Sequence, residues 1–465
     1  MHFASATELA SKIKRREISA AELLDHFLGR VEKYNPRLNA IIWMDVEGAR
    51  ARAKAADEAL ARGEDWGPLH GLPMTIKESF NLAGSPTTWG RPELKDNIPD
   101  SNAVLVDRLL AAGANIFGKT NVPINLADWQ SFNEIYGTTN NPWDLSLTPG
   151  GSSGGSAAAL AAGLTGLDAG SDIGASIRNP AHYCGVFGHK PIYGIVPGDG
   201  QALPGVFSRP DIAVVGPLAR SAEDLALSLD IVAGPDHFAA AGWRLQLPPP
   251  RRKALKDFKV AVMLSDPAAE VEQSYQDCLQ GVADALARAG ATVSDTARPD
   301  IDTARAFELF ILLLRAATSR RATEEQQDYF RQVAADTKID GDSYLSRMAR
   351  GVLLQHRDWL GLDNEGPSCA MPGRNSSRTG ISCFARPRYR PPGPMIRQEN
   401  AMTAPSRSMA NSNTAWIRCS GPAIPTWFIC RPPLPPPGRA PRVCPWACRR
   451  WRRRVRTRRR SNFAA

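Results

Sequence analysis

The chain has 465 residues, of which 43% are hydrophobic and 22% are charged, and its formal net charge is +10. A chain of this length and apolar content can bury the core of one large domain or two. Its longest apolar run, residues 309–314, is far too short to span a bilayer, and residues 1–19 lack the apolar core of a secretory signal. The sequence therefore predicts a cytoplasmic protein without a membrane segment.

The positive charge is concentrated in the last hundred residues. Residues 366–465 contain about twenty Arg, no Lys, no Asp and one Glu; their charge is about +19, so the first 365 residues carry about −9. The same segment holds six of the eight Cys and sixteen of the thirty-seven Pro, with no sustained helical or strand period. We therefore divide the chain into a body, residues 1–365, and an irregular Arg/Pro-rich tail, residues 366–465.

Strand-like and helix-like segments alternate through the body. Ser19-x-x-Glu22 is a capping box that predicts the start of a helix, and we expect Asn35-Pro36 to end it. Further strands are predicted at residues 38–44, 72–77, 115–118, 214–215, 259–264 and 291–293, and further helices at residues 47–62, 103–112, 222–232 and 271–289. This alternation predicts an α/β fold with a central sheet.

Two glycine- and serine-rich runs, residues 150–156 and 170–176, flank a small-residue segment of helical composition. Glycine accepts backbone angles that other residues resist, so such runs mark sharp turns or close approach to a ligand. Serine adds hydroxyls that can act as nucleophile or proton relay. A flexible linker is the simpler interpretation, but linkers do not alternate with apolar runs such as residues 157–160.

Two familiar ligand motifs fit these runs poorly. A phosphate-binding loop has the order GxxxxGK[ST], whereas Lys119-Thr120 is preceded by Gly118 alone. A GxSxG nucleophile elbow needs a second glycine, and this chain has Arg178 two positions after Ser176. The runs therefore indicate a different chemistry.

Residues 149–156, 170–178 and 70–78 together resemble the amidase signature family. That family uses a Ser–Ser–Lys triad whose lysine comes from an upstream G-x-P-x-x-x-K segment, and residues 71–77 match this segment. The spacings agree, with about 75 residues from Lys77 to Ser152 and about 24 from Ser152 to Ser176. The resemblance implies an amidase-signature fold for residues 1–365: a central mixed, mostly parallel sheet flanked by helices, with a catalytic core at residues 70–235.

The resemblance implies that Lys77, Ser152 and Ser176 are the catalytic residues. Lysine acts as a base only when neutral, and Lys77 ends an apolar run that resembles a buried strand, where desolvation lowers a lysine pKa. Ser152, which by resemblance follows a cis peptide bond, would pass the proton between Lys77 and the attacking Ser176.

The backbone after the second run would form the oxyanion hole. By resemblance its donors are the N–H groups of Ile173, Gly174, Ala175 and Ser176. Ala175 stands where the family usually has glycine, so a positive φ there would cost about 1 kcal/mol or more. The supporting residues are predicted to be Ser153, Asp172 and Arg178.

The resemblance implies an amidase that converts a carboxylic amide to acid and ammonia or amine through an acyl-Ser176 intermediate. We expect no cofactor, no metal and no membrane association. The expected binding partner is a small-molecule amide substrate, and the chain could also form a homodimer. One alternative is an amidotransferase A-subunit-like protein that supplies ammonia to a tRNA-dependent partner. Another is an inactive product whose basic tail binds nucleic acid.

The tail admits two interpretations. It could be a nucleic-acid-binding arm that uses Trp446, Trp451 and residues 449–460. We favour a reading-frame slip near Glu365, because the family continues here with a GLPxGxQ-like segment that this chain lacks. The spacing Cys444-x-x-x-Cys448 lacks the second ligand pair of a metal site. The two cysteines of the body, Cys184 and Cys278, are too few and too far apart in the sequence to imply a disulfide framework, in agreement with a reducing compartment.

Overall fold

A computed structural model describes residues 1–267, 269–298 and 300–366, together with the backbone of residues 381–384. The helices are α1 (Ala6–Lys14), α2 (Ala20–Leu38), α3 (Val46–Ala61), α4 (Val104–Ala111), α5 (Gly154–Ala161), α6 (Arg178–Cys184), α7 (Ala222–Val232), α8 (Gln273–Arg288), α9 (Thr303–Thr318), α10 (Glu324–Ala335) and α11 (Tyr344–Val352), and residues 356–366 are also helical. The strands are β1 (Ile41–Met44), β2 (Pro73–Lys77), β3 (Asn115–Thr120), β4 (Phe132–Asn133), β5 (Gly137–Thr138), β6 (Asp168–Asp172), β7 (Phe187–Gly188), β8 (Val214–Ala219), β9 (Lys259–Val262), β10 (Thr292–Ser294) and β11 (Ile381–Phe384).

The predicted start of α2 is confirmed, but its predicted end is wrong. The Ser19–Glu22 capping box is present, and the helix then continues through Pro36 to Leu38. A proline in the last turn removes only one helical hydrogen bond. The Asn35 side chain closes the end by accepting the N–H groups of the next segment, including that of Ile41 at 3.0 Å. Strand β1 consequently begins at Ile41 rather than at residue 38.

The lysine-bearing strand β2 lies inside the central sheet. It pairs in parallel with β3, and β3 pairs antiparallel with β1. On its other side β2 meets the start of β6, where the Thr75 N–H donates to the Leu167 carbonyl and the Gly166 N–H to the Pro73 carbonyl, both at 3.2 Å. Strand β6 pairs antiparallel with β8, which also pairs with β7. Strand β2 is therefore covered on both edges.

Parallel and antiparallel pairings both occur. Within the described ranges, three pairings are parallel (β2 with β3, β9 with β10, β9 with β11) and four are antiparallel. The predicted α/β fold with a mixed sheet and flanking helices is confirmed, with more antiparallel pairing than the resemblance implied.

One hydrophobic core joins the helices to the sheet across residues 6–232, and a smaller core surrounds β9. Helix α5 passes through the large core, and its small residues let neighbouring backbone approach closely. A Cβ atom on Gly155 would lie 2.3 Å from the Asn121 nitrogen and 2.7 Å from the Ala40 carbonyl oxygen. The small-residue composition of this segment is therefore a packing requirement.

Among the described residues, no helix combines the length and the apolarity that crossing a membrane requires. Apart from residue 366 and the backbone of β11, the tail lies outside the described residues. The predictions about Trp446, Trp451, Cys444 and Cys448 fall there.

Candidate active site

Strand β2 places Lys77 in the interior of the protein. All five residues of the strand are buried, and the Lys77 side chain has no exposed surface. Burial lowers the pKa of Lys77 from its ordinary value of 10.5 to about 7, although nearby carboxylates, Asp172 foremost, act in the opposite direction. A substantial fraction of this amine is therefore uncharged near neutral pH, as a general base requires.

Three serine hydroxyls surround the Lys77 amine. Nζ lies 2.6 Å from Ser152 Oγ, 3.0 Å from Ser153 Oγ and 3.1 Å from Ser171 Oγ. A protonated lysine has three N–H donors, and these hydroxyls can accept all three. Once neutral, the amine has a lone pair that can accept the proton of the nearest hydroxyl, that of Ser152. The site therefore accommodates both protonation states of Lys77.

The Ser152 loop is held closely against neighbouring backbone. The Gly151–Ser152 peptide bond is cis, as the resemblance implied. A Cβ atom on Gly151 would lie 2.4 Å from the Gln130 carbonyl oxygen, so a side chain on residue 151 would collide with the backbone of residues 128–130. The Ser153 N–H donates to the Ser176 carbonyl at 3.0 Å, which fastens the first glycine-serine run to the second.

The structure brings Ser176 beside this loop without a bond between the two hydroxyls. Ser176 follows β6 and is 5% exposed. In the part of the chain that the structure describes, no hydrogen bond joins Ser152 Oγ to Ser176 Oγ. Catalytic hydrogen bonds are often long in ligand-free enzymes and shorten when substrate binds. The contact between Lys77 and Ser152 is thus present, and the transfer from Ser176 to Ser152 stays a prediction.

Asp172 organises the turn that carries Ser176. Its carboxylate accepts the N–H groups of Ala175 and Ile177, each at 3.0 Å. It also forms a two-point ion pair with Arg178, at 3.0 Å from Nε and 2.6 Å from Nη2. Burial opposes ionisation of Asp172, but the guanidinium outweighs it and holds the pKa of this carboxyl below its usual value. The buried pair therefore fixes residues 172–178 as one turn.

This geometry alters the predicted oxyanion hole at Ala175. Because the Ala175 N–H already donates to Asp172, it is not free to donate to a substrate oxygen. Ala175 has φ +80°, so the alanine at this family glycine position does carry backbone strain. Among the described contacts, the N–H groups of Ile173, Gly174 and Ser176 have no acceptor, and these three stay the candidate donors.

Sequence reasoning missed two polar residues of the site. Ser171 contacts Lys77 from the end of β6, and Gln201 Nε2 donates to the hydroxyls of Ser171 and Ser79, both at 3.1 Å. Ser171 belongs to the second glycine-serine run and could have been suspected from its place beside Asp172. Gln201 lies in a distant loop with no recognisable motif around it.

Two further elements cover the turn at Gly174. The Trp129 Nε1–H donates to the Gly174 carbonyl at 2.8 Å. From α9, the Leu314 side chain would lie 3.6 Å from a Cβ atom on Gly174. The start of the candidate oxyanion hole thus lies between the turn at residues 128–130 and α9.

Other chemistries find less support in the structure. Gly118, Lys119 and Thr120 are part of the buried strand β3 rather than a loop that could wrap a phosphate. Lys119 Nζ donates to the hydroxyls of Ser85, at 3.2 Å, and Thr87, at 2.8 Å. Among the described residues, no group of three or more His, Cys, Asp or Glu is placed to hold a metal ion.

Comparison with known proteins identifies relatives over most of the body. The Amidase family model matches residues 22–357. An acylamidase of Rhodococcus erythropolis is 44% identical over 237 residues, which are 51% of this chain and 49% of that protein. A glutamyl-tRNA(Gln) amidotransferase subunit of Caldanaerobacter subterraneus subsp. tengcongensis is 31% identical over 347 residues, 74% of this chain and 70% of that protein.

Solved structures agree with these matches. A fatty acid amide hydrolase superposes with a TM-score of 0.70 at 25% identity, covering 82% of this chain and 67% of that one. The chain spans about half the length of the acylamidase.

Proposed function

Because this chain belongs to the amidase family, we propose that it hydrolyses a carboxylic amide to the acid and ammonia or an amine. The observation that carries the proposal is the buried Lys77 amine, 2.6 Å from Ser152 Oγ. A base of this kind can activate an otherwise weakly nucleophilic hydroxyl.

The reaction begins with two proton transfers. Neutral Lys77 takes the proton of Ser152, Ser152 takes that of Ser176, and Ser176 Oγ attacks the amide carbonyl carbon. The oxygen of the tetrahedral intermediate accepts hydrogen bonds from the N–H groups of Ile173, Gly174 and Ser176, and one such donor contributes roughly 10²–10³ in rate.

The tetrahedral intermediate then collapses to an acyl-enzyme. The C–N bond breaks, and the departing nitrogen receives the proton held by Lys77, returned through Ser152. Water attacks the acyl-Ser176 ester after losing a proton along the same route. The acid leaves, and Ser176 regains its hydroxyl proton.

A second candidate shares this chemistry. The match to the amidotransferase protein covers 74% of the chain, which supports a subunit that releases ammonia for a partner acting on charged tRNA. Glutamine hydrolysis that rises on addition of co-purified partner proteins would favour this candidate over a free-standing amidase. A homodimer and a cytoplasmic location stay predictions.

A third hypothesis, an inactive product whose tail binds nucleic acid, concerns residues outside the described part. Binding to DNA that weakens steeply with salt, without activity on any amide, would favour it.

The decisive experiment combines hydrolysis with trapping. Full-length protein shown to be folded by circular dichroism is assayed for ammonia or amine release from a panel of small amides. We expect Ser176→Ala to lower kcat by at least about 10³-fold, because it removes the nucleophile. Ser208→Ala, at an exposed serine, is the matched control and should keep full activity.

Rapid acid quench followed by peptide mass spectrometry should locate the acyl group on Ser176. An acyl adduct on another residue, or full activity in Ser176→Ala, would contradict the assignment.

A further inference from the structure

A second group of polar side chains lies beside the candidate active site and has no role in the proposed reaction. It consists of Trp89, Asn125 and Arg321, which we call the Arg321 cluster. Trp89 is 3% exposed and Asn125 is 8% exposed, yet Trp89 Nε1 and Asn125 Oδ1 have no hydrogen-bond partner among the described residues. Buried polar atoms are almost always paired in native proteins, so two unpaired atoms in one cluster point to a site for a polar ligand.

Arg321 brings an uncompensated positive charge to this cluster. Its guanidinium carbon lies 5.1 Å from the centre of the Trp89 ring, and Nη1 donates to the Asn125 carbonyl at 2.9 Å. Within the described ranges no carboxylate forms an ion pair with Arg321, and neither Nε nor Nη2 has an acceptor. Burial lowers the pKa of Arg321, and the charged side chain that acts on it in the same direction is another cation, Arg91. The planar guanidinium therefore has N–H donors left in the geometry that fits a carboxylate.

The backbone that holds the cluster is strained. Trp89, Asn125 and Leu126 all have φ +56°, in the left-handed region that non-glycine residues seldom occupy. A hydrogen bond of 2.8 Å from the Asn125 N–H to the Trp89 carbonyl joins the two turns. Strained residues of this kind concentrate at ligand sites, where the surrounding structure enforces an otherwise unfavourable conformation.

Two connections place the cluster next to the reacting groups. Glu78, which follows Lys77 in the chain, accepts the Trp89 N–H at 3.0 Å. Arg321 ends the short 3₁₀ turn Ser319–Arg321, which directly follows α9, the helix whose Leu314 covers Gly174. The positive charge of Arg321 is also among the influences that lower the pKa of Lys77, after burial and against the nearby carboxylates. A substrate with a chain of a few carbon atoms can therefore extend from the reacting groups at Ser176 to the Arg321 cluster.

We propose that the Arg321 cluster binds a carboxylate on the amide substrate, at the end away from the bond that is cleaved. This inference rests on the proposed amidase function and narrows its substrate to amides that carry a second, acidic group. Arg321 and the Trp89 indole N–H donate to the carboxylate oxygens. The Asn125 amide, whose oxygen and nitrogen are exchanged by a flip, can present its NH₂ group to the same ligand.

Matched substrate pairs test the proposal. The monoamide of adipic acid and hexanamide differ in a terminal carboxylate on the acyl side. N-acetyl-β-alanine and N-propylacetamide differ in the same way on the amine side. The readout is the ratio of kcat/KM for the acid to that for its neutral partner. We expect a ratio of about ten or more in at least one pair, and that pair identifies the side on which the carboxylate lies.

The variant Arg321→Met should lower this ratio to about one, a loss of about tenfold or more, mainly through KM for the acid, and Arg321→Lys should restore part of it. Arg320→Met removes the same charge from the adjacent exposed position and should leave the ratio unchanged. A ratio near one in both pairs, or equal losses in Arg320→Met and Arg321→Met, would overturn the proposal while leaving the amidase function intact.

A binding measurement separates failure of the cluster from failure of the chemistry. Calorimetry with the adipic acid monoamide is performed on Ser176→Ala and on the double variant Ser176→Ala/Arg321→Met. Binding that weakens by about tenfold or more in the double variant supports the cluster even if the enzyme hydrolyses none of the amides. Equal affinity in the two variants refutes it.

Discussion

Replacing Ala175 by glycine should stabilise the protein, although glycine usually destabilises a folded chain. Ala175 has φ +80°, which glycine adopts without penalty and which costs an alanine about 1–2 kcal/mol. Glycine also gives the unfolded chain more freedom, which offsets about 0.4–1 kcal/mol of this gain. The expected net effect is an increase of about 0.5–1 kcal/mol in the free energy of unfolding.

Urea denaturation followed by fluorescence measures this difference. Ala51→Gly is a suitable control, because Ala51 is exposed within α3 and glycine there should lower the free energy of unfolding by about 0.5–1 kcal/mol. The two substitutions are chemically identical, so opposite signs would trace the effect to the backbone of the turn. A loss of stability in Ala175→Gly equal to that in Ala51→Gly would refute the strain that we assign to this turn.

Three other predictions test the site and its support. Activity should follow the neutral form of Lys77, so kcat/KM should rise about tenfold per pH unit below pH 7 and level off above it, and a flat profile from pH 5 to 8 would exclude Lys77 as the base. Asp172→Asn should lower the free energy of unfolding by about 3–5 kcal/mol in thermal or urea denaturation, because Arg178 would stay buried without its counter-charge; a change below 1 kcal/mol would show that the pair is dispensable. Gly155→Ala should destabilise by about 1–3 kcal/mol or more because its Cβ would meet backbone at 2.3 Å, whereas Gly29→Ala, with open space around it, should be neutral or stabilising in the same assay.

Much of the fold follows from local sequence patterns. Helix α7 has the bounds that its sequence predicts, residues 222–232, and the capping box starts α2 where expected. The end of α2 was mispredicted because a proline in the last turn removes only one helical hydrogen bond. The Asn35 side chain then accepts the N–H groups of Ala40 and Ile41, which fixes the exit from the helix. That exit depends on the path of the following segment, which the local sequence does not show.

The candidate site, like the fold, could be predicted from the sequence only in part. The motif spacing identified the two segments that bring Lys77 and Ser152 together, because each residue belongs to a short motif that is continuous in the sequence. It could not determine the sign of φ at Ala175 or that Asp172 accepts its N–H group. Gln201 was beyond reach for another reason: its partner Ser171 lies thirty residues away in the chain, and only the folded structure makes them neighbours.

The most direct test of the account is the titration of the Lys77 amine itself. Protein labelled with ¹⁵N-lysine, compared with Lys77→Met to assign the signal, allows the Nζ resonance to be followed from pH 5 to pH 11. We predict a midpoint near 7, because the amine is fully buried among hydroxyls. A midpoint above 9 would mean that Lys77 remains a charged, structural residue at neutral pH, and Ser152 would then have no base to take its proton.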